Sequence, residues 1–260
     1  MNGVRLLVEE SGDGEPMVLV HGSWGDRQTW AFVEEDLARS FRVVSYDRCG
    51  NSGSEDRPDP GSRRDDEDDL AALIEDRELA PAHLVGNSFG ASIALGLATR
   101  RPDLIRSICV HEPPLVSLAG DDPNVAQAGA PIAEVLSLIE RGEREAAARL
   151  FVEDVALGPG AWEMLAPEDR ATMTANAGTF AEEQRDPAWA ALDLDALAAL
   201  ACPVLLTQGD QSPPLFAPII SRLSAAMGQA EVRTLRGAGH LPHITHPAEW
   251  VTVVREFAGA

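Results

Sequence analysis

The chain reads as an α/β protein: a mostly parallel central sheet with helices on both faces and a helical segment inserted late in the sheet. Three observations predict this. Short apolar runs alternate with helical stretches through the first half. The pattern lapses from about residue 113 to 199, and strand-like runs then return at Pro203–Thr207 and Glu231–Leu235. Strands that alternate with helices must be joined by crossovers, which favours a parallel sheet covered on both sides.

The elements follow in order. Met17–Val20 is a strand that ends at His21-Gly22, and Arg42–Tyr46 is a strand that ends at Asp47-Arg48. His83–Val85 runs into Gly86-Asn87-Ser88-Phe89-Gly90, and Ser107–Val110 ends at His111-Glu112. Helical stretches near 28–39, 66–79 and 90–101 separate them. The charge run Arg63–Asp69 lacks the glycine and spaced ligands of a calcium loop. Its acids suit the start of the helix that continues at Leu70–Ile74, where they face the positive end of the helix dipole. Between 113 and 199 the sequence offers helical stretches such as Pro131–Ile139, punctuated by Gly158-Pro159-Gly160, Pro167 and Pro187. A helical insert between two halves of one sheet is expected to be a lid, which divides the chain into a core of 1–112 and 200–260 and a cap of 113–199. A last helix begins near Pro247, a favourable first-turn residue.

Composition narrows the classes. The 260 residues are 45% hydrophobic and 24% charged, ordinary for a globular chain. No apolar run approaches the ~18 residues of a membrane span, and Met1–Arg5 lacks the pattern of a secretory signal. The three cysteines are too few and too dispersed for a disulfide framework, so the cytoplasm is the expected compartment. A net charge of -21 disfavours nucleic acid and anionic membranes as partners. A small-molecule substrate is the expected partner. There is no lysine, and Tyr46 is the single tyrosine.

Gly86-Asn87-Ser88-Phe89-Gly90, set between a strand and a helix, reads as a nucleophile elbow. Glycines two residues either side of the serine allow the strand and helix to pass closely, and the sharp turn exposes the Ser88 hydroxyl. The Phe89 N–H at the helix N-terminus would then face developing negative charge. A second N–H, that of Ser23 after His21-Gly22, would complete a two-donor oxyanion hole. Ser88 needs a base, and His240 on the loop Gly237-Ala238-Gly239-His240 is the best placed. His243 and His246 sit nearer the closing helix, His21 reads as a loop holder, and His83 and His111 as structural. Trp24, beside the oxyanion loop, is a candidate for the substrate pocket.

With these residues assembled, the chain resembles the capped, cofactor-free esterase and haloperoxidase-like branch of the α/β-hydrolase fold. The resemblance rests on His21-Gly22, Tyr46–Ser52, the elbow, Gly237–His240 and Pro247. It covers about 1–112 and 200–260. It implies a Ser-acid-His triad, no metal and no organic cofactor. Most relatives place the acid three residues after a glycine at the end of the penultimate strand, and here that position holds Ser212. Asp210, in the same loop, and Glu112, directly after the preceding strand, are the two substitutes, and Glu112 is favoured. Relatives that open epoxides or remove halides attack with aspartate, and hydroxynitrile lyases of this fold use a lysine. Neither fits, which leaves acyl transfer from a small, apolar ester, thioester or lactone. A haloperoxidase-type activity of the same triad and a catalytically inactive binding protein are the alternatives.

Overall fold

The computed structural model describes residues 3–260, and seven strands form a single sheet in it. They are β1 (Val8–Ser11), β2 (Glu15–Val20), β3 (Phe41–Tyr46), β4 (Ala82–Asn87), β5 (Ile105–His111), β6 (Val204–Gly209) and β7 (Glu231–Leu235). Their spatial order is β1-β3-β2-β4-β5-β6-β7, with only β1 antiparallel to its neighbour. β1 is absent from the sequence reading because Val-Glu-Glu-Ser carries no apolar run. It is an edge strand held by backbone pairing to β3 from Val8↔Tyr46 to Ser11↔Val43.

The inner strands are apolar on both faces, as a sheet covered twice requires. Because strand side chains alternate, Val18 and Val20 of β2 enter one core cluster while Met17 and Leu19 enter the other. Helices α1 (Ala31–Ala38) and, at the chain end, Pro247–Ala258 cover the second face through Val33, Leu37, Trp250 and Val254. Helices α2 (Arg63–Asp76) and α3 (Phe89–Arg100) cover the first through Leu70, Leu73, Ile93 and Leu97. The charge run starts α2 three residues earlier than its apolar pattern suggests. Ser62 is the N-cap and makes a reciprocal capping box with Asp65.

Between β5 and β6 the described residues are helical: α4 (Pro123–Gln127), α5 (Gly129–Glu140), α6 (Arg144–Leu150) with a wider-wound continuation over Phe151–Ala156, α7 (Ala161–Met164), α8 (Pro167–Ala175), α9 (Ala177–Arg185) and α10 (Leu194–Ala198). The middle of this segment has its own core, in which Val135, Ala147, Val152, Trp162 and Phe180 pack with Trp24. Its two flanks do not share that core. Leu115, Ala119, Val125, Leu197 and Leu200 bury in the main cluster under the sheet, so the cap proper is narrower than the strand-free stretch. Among the apolar cap residues, Met164 is 87% exposed and Trp189 packs on the main cluster instead. After β6 come α11 (Phe216–Ala226), α12 (Pro242–Thr245) and α13 (Pro247–Ala258). No helix among the described residues is long and apolar enough to cross a membrane.

Candidate active site

Ser88, Glu112 and His240 sit on the loops that leave β4, β5 and β7 at the carboxyl edge of the sheet. Ser88 has φ 55° and ψ -125°, a strained conformation for a residue with a side chain. The glycines around it are dictated by contact. A Cβ on Gly86 would lie 2.7 Å from Gly90 O, and a Cβ on Gly90 would lie 2.1 Å from Val20 O. The elbow thus presses α3 onto the end of β2. A Cβ on Gly22 would come within 2.9 Å of Ser88 Cβ, so the loop after β2 also passes directly against the serine.

His240 Nδ1–H donates to Glu112 Oε2 at 2.7 Å, and Gly209 N–H donates to Glu112 Oε1 at 2.8 Å. Both carboxylate oxygens are therefore engaged, and the residue is fully buried. Glu112 adopts φ 47°, a left-handed turn directly after β5. Burial alone would raise its pKa, but His111 and His240 beside it outweigh that cost and hold the carboxyl well below the usual range. Asp210 is elsewhere: its Oδ1 accepts from Gly237 N at 2.7 Å and from Gln211 Nε2 at 3.1 Å, and it ties the β6 and β7 loops together. Ser212, in the usual acid position, has a buried and unpartnered hydroxyl.

His240 is held on three sides. Asn87 Nδ2 donates to its carbonyl at 2.9 Å, which ties the histidine loop to the elbow. Phe216 stacks on the imidazole with ring centroids 4.4 Å apart and planes 13° apart. Glu112 fixes Nδ1, which leaves Nε2 as the free nitrogen. Of the other histidines, only His111 also reaches Glu112. His21 Nδ1–H donates to Gly22 O at 2.8 Å and its Nε2 accepts from Arg48 N at 2.9 Å, so it is a neutral loop holder. Burial, then the Arg48 charge, keeps its pKa far below the ordinary value. His243 lies against Trp30 and contacts Thr29 Oγ1 at 3.0 Å, His83 contacts Ser107 Oγ at 2.8 Å, and His246 contacts Thr245 Oγ1 at 2.9 Å. His111 is buried, with Nδ1 2.9 Å from Thr207 Oγ1 and Nε2 3.4 Å from Glu112 Oε2. Ligand atoms of His111, Glu112 and His240 lie within 4.8 Å of one another, but a cation there would have to break the His240–Glu112 bond.

Around the two expected oxyanion donors, the N–H groups of Ser23 and Phe89 have no acceptor among the described residues. The Ser23 side chain is occupied: its Oγ donates to Glu183 Oε2 of α9 at 2.5 Å. Glu183 also meets Arg48, whose guanidinium is 5.1 Å from the Phe89 ring centroid and is paired with Asp66 at 2.8 Å. Burial pushes the Glu183 carboxyl up while Arg48 and Ser23 draw it down, and the net shift is upward. Trp24 is fully buried, has φ 69°, and packs its ring 5.1 Å from Phe151 and 4.8 Å from Phe180 of the cap. A groove of about 880 Å³ opens beside Glu112, Asp210 and Phe216 but touches neither Ser88 nor His240. Sequence reasoning missed Arg48, Glu183, Asn176 and Phe216. Arg48 alone carried a signal there, as a charged residue two positions beyond a buried strand.

Comparison with known proteins bears on the family and the fold. A family model described as the alpha/beta hydrolase family matches residues 17–253. A 2-hydroxymuconate semialdehyde hydrolase of Pseudomonas sp. (strain CF600) is 38% identical over 110 residues, 41% of this chain and 39% of that protein's length. The chain therefore aligns with about two fifths of that relative. An alpha/beta hydrolase of Sphaerobacter thermophilus DSM 20745 is 27% identical, with a TM-score of 0.77 over 99% of this chain and 97% of that one. A bromoperoxidase of Bacillus anthracis has a TM-score of 0.84 over 99% and 96%, and at 21% identity it speaks to the fold alone. The strand order, the elbow and the family match converge on one statement: this chain belongs to the alpha/beta hydrolase family.

Proposed function

We propose that the chain is a serine hydrolase that moves the acyl group of a small, apolar ester, thioester or lactone to water. The observation that carries this reading is the 2.7 Å contact between His240 Nδ1 and Glu112 Oε2, with Gly209 N–H holding the other carboxylate oxygen. That contact fixes the tautomer in which His240 Nε2 can accept a proton. Ser88 Oγ attacks the substrate carbonyl as His240 takes its proton, and the N–H groups of Ser23 and Phe89 bind the oxyanion. His240 then returns the proton to the leaving group, and an acyl-serine remains. Water, deprotonated by His240, attacks the acyl carbon and releases the acid and free Ser88. Glu112 stays ionised throughout and stabilises the imidazolium. The aromatic cluster of Trp24, Phe151 and Phe180 next to the loop supports an apolar substrate. The net charge of -21 disfavours anionic ones at long range.

A fluorophosphonate probe and burst kinetics on p-nitrophenyl esters test the reading. Wild type should label and show a burst, and Ser88→Ala should do neither while keeping its fold. A Ser88→Ala protein that still turns over esters near the original rate refutes the assignment. A wild type that binds esters without labelling would instead favour an inactive binding protein. A panel of acyl chain lengths then defines the substrate, and a bromide–peroxide assay checks the haloperoxidase alternative.

A further inference from the structure

We infer that Glu183 of the cap is a positioning residue that sets the Gly22–Ser23 peptide, so that the oxyanion site is complete only while the cap is docked. The inference rests on the acyl-transfer reading above. Glu183 Oε2 accepts from Ser23 Oγ and Glu183 Oε1 accepts from Arg48 Nη2, each at 2.5 Å. The same Arg48 nitrogen donates to Gly22 O at 3.3 Å, and His21 Nδ1–H donates to that carbonyl at 2.8 Å. The carbonyl and the N–H of one trans peptide point in opposite directions. Two donors on Gly22 O therefore turn the Ser23 N–H away from Arg48 and His21, and among the described residues nothing else accepts from it. Gly22 itself backs onto Ser88 Cβ.

A second contact on the same helical stretch acts on the same loop. Asn176, which precedes α9 by one residue, donates through Nδ2 to Gly25 O at 3.0 Å and to Trp24 O at 3.3 Å. It lies seven residues before Glu183, two helical turns along one face. The cap thus grips residues 22–25 at both ends, and Trp24 is pinned between them with φ 69°. The charges are buried, Arg48 at 1% and Glu183 at 6% exposure, so neither is held by water. If the cap lifts, Ser23 Oγ loses its acceptor and Arg48 keeps only Asp66, 2.8 Å away. The guanidinium is then free to leave Gly22 O, and the peptide is oriented by the His21 Nδ1–H alone where it had two donors.

The test compares wild type with Glu183→Ala, Glu183→Gln, Ser23→Ala and the double variant Ser23→Ala/Glu183→Ala, using p-nitrophenyl ester acylation in single turnover. Glu183→Ala should slow acylation by roughly ten- to a hundredfold with KM within about threefold, because oxyanion contacts act in the transition state. Glu183→Gln should recover most of that loss, since its amide oxygen can still accept from Arg48 and its nitrogen can donate to Ser23 Oγ. The double variant should be within about twofold of Glu183→Ala, because both changes cut one link. Should Glu183→Ala fail to fold, Ser23→Ala and Asn176→Ala leave Arg48 paired and are expected to slow acylation severalfold at unchanged KM. Losses that multiply, a change in KM alone, or full-rate acylation in these variants would overturn the inference. Probe labelling of wild type that is lost in Ser88→Ala upholds acyl transfer separately, so the two readings can fail independently.

Discussion

Replacing Glu112 by glutamine tests the site most severely, because the amide is nearly isosteric and cannot satisfy both of its neighbours while His240 carries its proton on Nδ1. In the protein Oε1 accepts from Gly209 N–H at 2.8 Å and Oε2 accepts from His240 Nδ1–H at 2.7 Å. Glutamine offers one acceptor and one donor group. With its oxygen on Gly209, its NH2 faces Nδ1, and His240 must carry its proton on Nε2, where Ser88 needs a lone pair. The flipped amide would set two donors against each other at Gly209, at a cost of about 1–3 kcal/mol for a buried unsatisfied group. The amide is thus held in the inactive arrangement. In a serine protease the corresponding acid-to-amide change lowers turnover about ten-thousand-fold, about 5 kcal/mol of barrier. Glu112→Gln should lose roughly three to four decades in kcat with little change in near-UV circular dichroism. Asp210→Asn keeps an oxygen for Gly237 N and should lose at most about tenfold. The assay is kcat on a p-nitrophenyl ester together with burst amplitude. A Glu112→Gln protein within tenfold of wild type, or the reverse ranking of the two variants, refutes the assignment.

Other consequences can be measured directly. Gly90→Ala places a methyl 2.1 Å from Val20 O and 2.5 Å from His21 O, both backbone atoms, so the variant should be severely destabilised or fail to fold. Gly178→Ala, with nothing within 4 Å, should hold or gain up to about 1 kcal/mol of stability, and urea titrations of the two variants check both outcomes. Acid should destabilise the fold from about pH 6.5 downward. His21 and His243 are buried and stay neutral when the unfolded chain takes up protons, so stability is present above that pH and falls by up to about 1.4 kcal/mol per unit for each. His243→Gln should flatten the urea-derived slope between pH 6.5 and 5.5 by about one proton, and an unchanged slope would contradict the assignment. Phe180→Ala removes a buried ring 4.8 Å from Trp24 and should cost about 3–5 kcal/mol of stability. It should also shift ester preference toward longer acyl chains, and equal chain-length profiles would count against the cap as a selectivity element.

Much of the sheet was legible because the inner strands are apolar on both faces and end in polar or glycine residues. That signal is local, and it holds for β2 through β6, whereas β7 is a largely exposed edge strand with only Leu235 buried. β1 was not legible, since Val8–Ser11 is a polar edge whose strand character comes entirely from pairing with β3. The elbow could be read for the same local reason. Strand, glycine, serine and helix are contiguous, and their steric requirement falls within five residues. The extent of the cap was only half legible. Loss of strand pattern marks where the sheet stops, but Leu115, Val125 and Leu197 return to the main core by packing, which no local pattern encodes.

By itself, the amino-acid order determined the fold class and pointed to a candidate serine with a short set of partners, because each signal lies in residues close along the chain. Which carboxylate meets His240 was left between Glu112 and Asp210. That choice belongs to tertiary structure, because it depends on how far β5 and β6 project beyond the sheet edge and on a left-handed turn at Glu112. The Arg48–Glu183 pair, 135 residues apart in the chain, belongs there too. A buried charge becomes tolerable only when distant segments supply its partners, and sequence adjacency carries no trace of which segments those are.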